Sequence, residues 1–126
     1  MRRSNDMGLD IYLYLEDKDT GTIIEYSYYR KFNALQGYFE RTYNLDNGER
    51  ILLDLNQIND IFMRLNEVRY APELAPELLP TQPGPFYGTY EYDRLYYEYV
   101  KQASTDFYHA KYIDFEKYNL YYTSDW

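Results

Sequence analysis

Near the N-terminus, apolar side chains alternate with side chains that carry a polar group. Ile11, Leu13 and Leu15 occupy every second position, which is the period of a strand with one buried face. A turn-forming run follows at 17–21, and residues 22–31 are rich in β-branched and aromatic side chains. The pattern predicts an N-terminal β-hairpin. Both faces of its second strand carry apolar residues, so the sequence leaves the buried face of that strand open.

Three segments show the spacing of apolar residues that is typical of helices. The first begins near Phe32 and ends before the turn at 44–48. The third is predicted from Thr89 to Tyr112. The core-facing stripe of this third helix consists of Tyr92, Tyr96, Tyr99, Val100, Ala103, Phe107 and Ala110.

The second helical segment has the most regular pattern. Its apolar residues are Ile58, Ile61, Phe62, Leu65 and Val68. Asp54 or Asn56 can serve as its N-cap, and with Asp54 in that position Gln57 becomes the N3 residue of a capping box. The helix must end before Pro72.

The remaining segments complete an α+β pattern. Ile51–Leu53 and Asn119–Thr123 are predicted as short strands, and Ala71–Pro85 as a long, stiff surface loop because it holds all five prolines. We therefore predict one α+β domain over residues 7–126, with a small, largely antiparallel sheet packed against about three helices. Residues 1–6 are predicted to be a disordered extension.

The composition excludes several classes of function. The chain has no cysteine and one histidine, which excludes disulfides, thiolate zinc sites and a cysteine nucleophile. With 13 basic and 21 acidic residues its net charge is −8, which argues against direct binding to nucleic acid or to anionic membranes. No apolar run approaches the roughly 20 residues that a membrane span needs. We expect a cytoplasmic protein that holds no metal or cofactor.

The sequence also argues against an enzyme. A nucleophile–base pair would need His109, which projects away from the apolar stripe of the third predicted helix. Asp17 and Asp19 resemble the start of a calcium loop, but Gly21 and Tyr28 stand where further ligands are required. The six glycines are scattered singly, so no phosphate-binding glycine motif is present.

Two adjacent cations at the junction between the second strand and the first helix form one candidate site. Cations beside exposed helix amides can hold a phosphate or a carboxylate, and neighbouring tyrosines can stack on a base. The alternative is that these cations pair with surface carboxylates. The candidate anion-binding or ligand-binding residues are Tyr28, Arg30, Lys31, Asn33 and Tyr38.

Tyrosine accounts for 19 of the 126 residues, too many for a core of this size to bury with every hydroxyl satisfied. Exposed tyrosines offer a large contact area with few rotatable bonds, which favours a binding face. Residues 71–126 also have a net charge of −5, against −3 for residues 1–70. A tyrosine-rich, acidic surface formed by 87–99 and 118–126 is therefore predicted to bind a partner. Its candidate residues are Tyr90, Glu91, Tyr92, Tyr97, Glu98, Asp106, Tyr121, Tyr122 and Trp126.

An acidic surface also raises the alternative of nucleic-acid mimicry, in which carboxylates take the place of phosphates. The outer face of the third predicted helix, however, alternates in charge through Glu91, Arg94, Glu98 and Lys101. This spacing is typical of a solvated face that pairs its own charges.

Four segments in order along the chain carry a resemblance to a known family. They are Met7–Leu13, Tyr29–Leu35 with Tyr38 and Phe39, Gly88–Asp93, and Tyr121–Trp126. In these segments the chain resembles a widespread family of small phage and prophage accessory proteins, which open with Met-Gly-Leu-Asp-Met-Tyr-Leu and close on tryptophan. Relatives often carry tryptophan at the positions of Tyr29 and Tyr38 and histidine at that of Gln36. If that histidine takes part in catalysis in relatives, Gln36 cannot replace it here, which argues against an enzyme.

The resemblance implies a phage setting inside a host cell. Small acidic phage proteins commonly bind and block a host protein, so we expect a non-catalytic inhibitor of a host protein with a basic surface. The expected target is a defence protein, which would make the chain an anti-CRISPR-like inhibitor, or a nucleic-acid enzyme. The alternative is a small-ligand or nucleotide-binding protein that uses Arg30, Lys31 and Asn33. A homodimer through a tyrosine face is compatible with the pattern, although nothing in the sequence selects it.

Overall fold

The structure is a computed structural model that describes residues 8–126. The predicted extension at residues 1–6 lies outside this range. The elements of the described part are β1 (Asp10–Asp17), β2 (Ile23–Arg30), α1 (Asn33–Tyr43), β3 (Arg50–Leu53), α2 (Leu55–Tyr70), a 3-10 turn (Pro72–Leu74), α3 (Ala75–Leu78), α4 (Arg94–Ala110) and β4 (Tyr118–Asp125).

The four strands form one antiparallel sheet in the order β2-β1-β4-β3. β1 and β2 are the predicted hairpin, closed by the side chain of Asp17, which accepts hydrogen bonds from the backbone N–H groups of Asp19 and Thr20. β4 returns beside β1 and pairs with it over all eight residues, while its other edge pairs with β3. The predicted α+β fold with an antiparallel sheet is thus confirmed.

A shift of register in the hairpin explains why the buried face of β2 could not be chosen from the sequence. Leu13 pairs with Ser27, but the next residue, Tyr14, pairs with Glu25. Tyr26 is therefore an extra residue, the arrangement of a β-bulge. As a result Tyr26 and Ser27, although adjacent, both hydrogen-bond to α4. Residues of β2 before and after Tyr26 therefore do not follow one continuous inward-outward alternation, so a regular strand pattern could not predict the buried face.

The helices form a layer on the inner face of the sheet. Phe39 of α1 stacks on Tyr122 of β4 with 3.7 Å between ring centroids, and α4 hydrogen-bonds to β2. α2 packs against α4 through its buried stripe. The largest fully buried side chains come from both layers and are Leu9, Ile11, Leu13, Tyr29, Phe32, Leu35, Phe39, Ile58, Ile61, Leu65, Phe107 and Tyr122.

α2 begins with the predicted capping box. The backbone N–H of Gln57 donates to the Asp54 carboxylate at 2.8 Å, and the Asp54 N–H donates to the Gln57 side chain at 2.9 Å. Asp54 is thus the N-cap, and Asn56 lies inside the helix. The helix ends at Tyr70, before Pro72 as expected.

The third predicted helix is shorter than expected, because Asp93 caps it. The Asp93 carboxylate accepts from the Tyr96 N–H at 3.0 Å, so α4 begins at Arg94 rather than Thr89. It ends at Ala110, before Tyr112. No helix in the range 8–126 combines the length and the apolar character that a bilayer crossing requires.

The proline-rich segment is partly helical, which corrects the prediction of one surface loop over Ala71–Pro85. A 3-10 turn and α3 occupy 72–78, with Pro72 and Pro76 in first-turn positions where no N–H donor is needed. Ala75 and Leu79 are fully buried. The segment therefore adds to the core before it becomes a loop.

Candidate binding surface

The outer face of the sheet is the one that the helices of the described chain leave uncovered. Side chains alternate across the sheet, so the residues that flank the buried Ile11, Leu13 and Tyr122 point outward. The register places Tyr14 opposite Tyr121, with Leu52 on the far side of Tyr121. We call this surface the tyrosine face. It consists of Tyr12, Tyr14, Tyr28 and Tyr121 with Arg50 and Leu52.

A stacked ring pair and a cation form the middle of the tyrosine face. Tyr14 and Tyr121 stack with 5.3 Å between centroids and 26° between planes. The Arg50 guanidinium lies 4.6 Å from the centre of the Tyr121 ring and donates to the Tyr14 hydroxyl at 3.3 Å. That hydrogen bond raises the pKa of the Arg50 guanidinium above its ordinary value. The three side chains are held together, which lowers the entropy lost when a partner covers them.

A second ring pair lies beside the first. Tyr12 and Tyr28 are 5.2 Å apart in a tilted arrangement. The Tyr28 hydroxyl donates to the buried carboxylate of Asp10, at 2.5 Å. Desolvation, followed by this hydrogen bond, raises the pKa of Tyr28 above its usual range. Tyr28 is thus a neutral donor at every physiological pH.

Exposed aliphatic side chains border the two ring pairs. Leu52 in β3 is 51% exposed, and Ile23 at the start of β2 is 52% exposed. Glu16 of β1 and Glu25 of β2 lie on this same face of the sheet. Apolar side chains beside stacked tyrosines are typical of the centre of protein interfaces.

The structure distributes the predicted partner-binding residues over several surfaces. Tyr90 and Glu91 are exposed in the loop before α4, while Tyr92 and Tyr97 are half-buried. Glu98 is exposed and pairs with Arg94 at 3.2 Å, as the alternating charge pattern suggested.

The predicted residues in and after β4 are separated by the strand's alternation. Tyr121 belongs to the tyrosine face, whereas Tyr122 is fully buried and donates to the Gln36 side chain at 2.6 Å. Tyr122 therefore cannot contact a partner of the folded protein, which corrects that part of the prediction. Trp126 is half-buried, edge-on to Tyr87 at 5.7 Å.

Asp106 also has a different role from the predicted one. Its carboxylate accepts hydrogen bonds from the hydroxyls of Ser27 and Tyr29, both at 2.5 Å. Asp106 is half-buried against the hairpin. It therefore connects α4 to β2 within the protein.

The structure does not bring the five candidate ligand residues into one site. Arg30 forms an ion pair with the buried Asp10 at 2.8 Å, and Tyr28 donates to the same carboxylate. Asn33 is 4% exposed and Tyr38 is 7% exposed. Tyr38 packs instead toward α2, where the Arg64 guanidinium lies 5.4 Å from its ring centre.

Asn33 binds the protein's own backbone. Its amide nitrogen donates to the carbonyl groups of Tyr87 and Thr89 at 3.1 and 2.8 Å, and its side-chain oxygen accepts from the Gln82 N–H at 2.9 Å. These bonds fasten the loop that follows α3 to the start of α1. The polar groups of Asn33 are thus occupied, which leaves none for a ligand.

Lys31 borders a small cleft that also holds Glu91 and Asp93. The interior of this cleft is about 30 Å³, which is room for one or two water molecules and not for a nucleotide. The two acidic residues in its lining also disfavour a bound anion.

The described parts of the four segments that carry the family resemblance are connected to one another. The Lys31 N–H donates to the Leu9 carbonyl at 2.7 Å, Asn33 binds Thr89, and Tyr122 binds Gln36. Most of these groups are buried. These hydrogen bonds therefore help to hold the segments in place.

Sequence reasoning missed most of the tyrosine face. The signal was present in β1, since the alternation that buries Ile11 and Leu13 turns Tyr12 and Tyr14 outward. Arg50 and Leu52 had no such signal, because a four-residue strand does not show which face it buries. Within residues 8–126 no three histidine or acidic side chains are placed to hold a metal ion. No protein-family model, curated protein or solved structure matches the chain.

Proposed function

We propose that the protein is a non-catalytic binding protein that covers and blocks a basic surface of a partner protein with its tyrosine face. The observation that carries this proposal is the pre-stacked pair of Tyr14 and Tyr121, with Arg50 fixed against it and Leu52 exposed beside it. The mechanism is occlusion, which needs contact area and no chemistry.

Three properties of the face support this function. Its rings are already ordered by one another, so binding orders few side chains. Its tyrosines combine apolar area with hydroxyl groups, as hot-spot residues do. A basic partner is favoured because the net charge is −8 and the acidic Glu16 lies on the same face. The resemblance to phage accessory proteins favours a host defence protein or a nucleic-acid enzyme as the target.

The test compares one variant on the face with a matched variant away from it. Leu52→Lys adds a positive charge to the face, and Met63→Lys adds the same charge at an exposed position of α2, where the side chain is 59% exposed. Tagged wild-type protein and both variants are used to capture partners from host lysate at low salt, with quantitative mass spectrometry. A captured protein is then purified and titrated against each form to measure affinity and stoichiometry.

We expect one stoichiometric partner that binds the wild type and Met63→Lys alike, with roughly tenfold or greater loss for Leu52→Lys. Glu91→Lys with Glu98→Lys tests the surface predicted from the sequence. If this double variant loses the partner while Leu52→Lys retains it, the binding surface lies at α4. Capture of no partner, or equal loss for Leu52→Lys and Met63→Lys, contradicts the proposal.

A further inference from the structure

A groove between α2 and α4 differs in chemistry from the rest of the surface. It lies in the helix layer, on the opposite side of the sheet from the tyrosine face, and has a volume of about 350 Å³. That volume is in the range of sites that hold small organic ligands. Its lining consists of Phe62, Asn66, Arg69, Tyr70, Ser104, Thr105 and Tyr108.

The groove is basic although the protein is strongly acidic. None of its lining residues is acidic. Arg69 lines it and Lys111 lies beside it, with the ammonium group 4.3 Å from the centre of the Phe62 ring. Within the described range, neither cation has a carboxylate within 4.0 Å. The cleft beside Lys31, by contrast, includes two carboxylates. These charges favour an anionic ligand over a cationic one.

Aromatic rings line both ends of the groove, with Tyr108 at one end and Tyr70 at the other. Tyr70 and Tyr108 are 73% and 42% exposed, and Tyr108 packs on Phe62 with 5.6 Å between centroids. The Arg69 guanidinium lies 5.2 Å from the centre of the Tyr70 ring. Exposed rings of this kind provide stacking surfaces for a flat ligand.

A polar side chain, Asn66, lines the middle of the groove. Ser104 is 1% exposed, and its hydroxyl has its only described side-chain contact with the Asn66 oxygen at 3.5 Å. That distance is at the limit of a hydrogen bond. Ser104 is thus closed to a ligand, whereas the amide of the half-buried Asn66 offers a donor and an acceptor to the edge of a polar ring.

We propose that this groove binds a flat heteroaromatic ring joined to an anionic group, the chemistry of a nucleoside monophosphate. The ring stacks on Tyr70 or Tyr108, its polar edge meets Asn66, and the phosphate pairs with Arg69. This site is independent of the tyrosine face, so either can fail without the other.

Isothermal titration at low salt with adenosine monophosphate and uridine monophosphate tests the proposal, with adenosine and inorganic phosphate as half-ligand probes. At least one nucleotide is expected to bind one-to-one and more tightly than either half-ligand. Arg69→Gln is expected to weaken binding by roughly tenfold or more, as loss of a charged hydrogen bond does. Tyr70→Ala should weaken it as well, and at 73% exposure this substitution leaves the fold intact.

The matched control is Arg94→Gln, an exposed arginine at the other end of the helix layer whose loss should leave nucleotide affinity unchanged. Circular dichroism confirms that each variant is folded. The proposal is overturned if neither nucleotide binds at about 10 mM, which corresponds to a very weak association. It is also overturned if Arg69→Gln binds as the wild type does, or if inorganic phosphate binds as tightly as the nucleotides.

Discussion

The Tyr29 hydroxyl donates a 2.5 Å hydrogen bond to the Asp106 carboxylate, which joins β2 to α4 across 77 positions of the chain. Ser27 donates to the same carboxylate oxygen, and the Tyr26 hydroxyl donates to the Asp106 carbonyl at 2.9 Å. Burial, and next the charge of Asp106, raise the pKa of Tyr29 well above its ordinary value. Asp106 thus joins three residues of the hairpin to the helix layer, Ser27 and Tyr29 through its carboxylate and Tyr26 through its backbone carbonyl.

Replacing Asp106 should therefore destabilise the fold. Asp106→Ala leaves the hydroxyls of Ser27 and Tyr29 without their acceptor, and we expect a loss of roughly 3 kcal/mol in the free energy of unfolding. Glu98→Ala on the same helix is exposed and should change it by less than about 0.5 kcal/mol. Urea denaturation of both variants measures the difference. Equal stabilities would mean that Asp106 is a surface residue with no structural role.

Stability should fall steeply at alkaline pH. Desolvation raises the pKa of Tyr29 and of Tyr122 well above 10 and that of Tyr43 to about 12. The stabilisation is fully present below pH 10 and is lost above it, because the unfolded chain releases these protons first. Each such tyrosine contributes up to about 1.4 kcal/mol per pH unit.

Denaturant unfolding between pH 8 and pH 12 measures this slope. Tyr122→Phe should reduce the slope by about one proton. A slope that is the same in wild type and Tyr122→Phe would show that Tyr122 titrates alike in the folded and unfolded chain.

Loss of the Asn33 side chain should loosen the loop after α3. Asn33→Ala removes three hydrogen bonds to the backbone of residues 82–89, and we expect roughly 2 to 4 kcal/mol less stability. Hydrogen exchange of the Gln82 amide should accelerate more than exchange in β1, since the loop opens locally. Uniform acceleration across the chain would indicate global destabilisation without a local fastening role.

Removal of the α2 capping box should have a smaller, local effect. Asp54→Ala leaves the Gln57 N–H without its acceptor, at a cost of about 1 kcal/mol. Asp60→Ala, in the exposed part of the same helix, is the control. Thermal unfolding of the two variants compares them. Identical melting temperatures would mean that water replaces the cap at no cost.

Local patterns were sufficient for most of the secondary structure. The β1 alternation and the apolar stripes of α2 and α4 each predicted the correct element, because these periods follow directly from backbone geometry. The capping box of Asp54 and Gln57 was readable for the same reason, since its two residues are three positions apart. The start of α4 was misplaced because several polar residues preceded it and Asp93 was not identified as its cap.

The candidate sites were harder to predict because their residues are distant in sequence. Arg30 and Asp10 are 20 positions apart. Arg30 was one of the two cations predicted to bind a ligand, and in the structure it pairs with Asp10 instead. The groove residues Arg69 and Ser104 come from different helices, so no local pattern joins them. Tyr38 was predicted to bind a ligand only because it is aromatic. In the structure it is buried, with Arg64 of α2 over its ring, and so contributes to packing.

The sequence by itself determined the fold class, the acidic charge and the abundance of tyrosine, because these depend on composition and on periods of two to four residues. Only the tertiary structure decided which tyrosines are available to a partner. Tyr121 and Tyr122 are adjacent and chemically identical, yet one lies on the tyrosine face and the other in the core. The strand's alternation separates them, and the packing of α1 on one side of the sheet selects which of the two is buried.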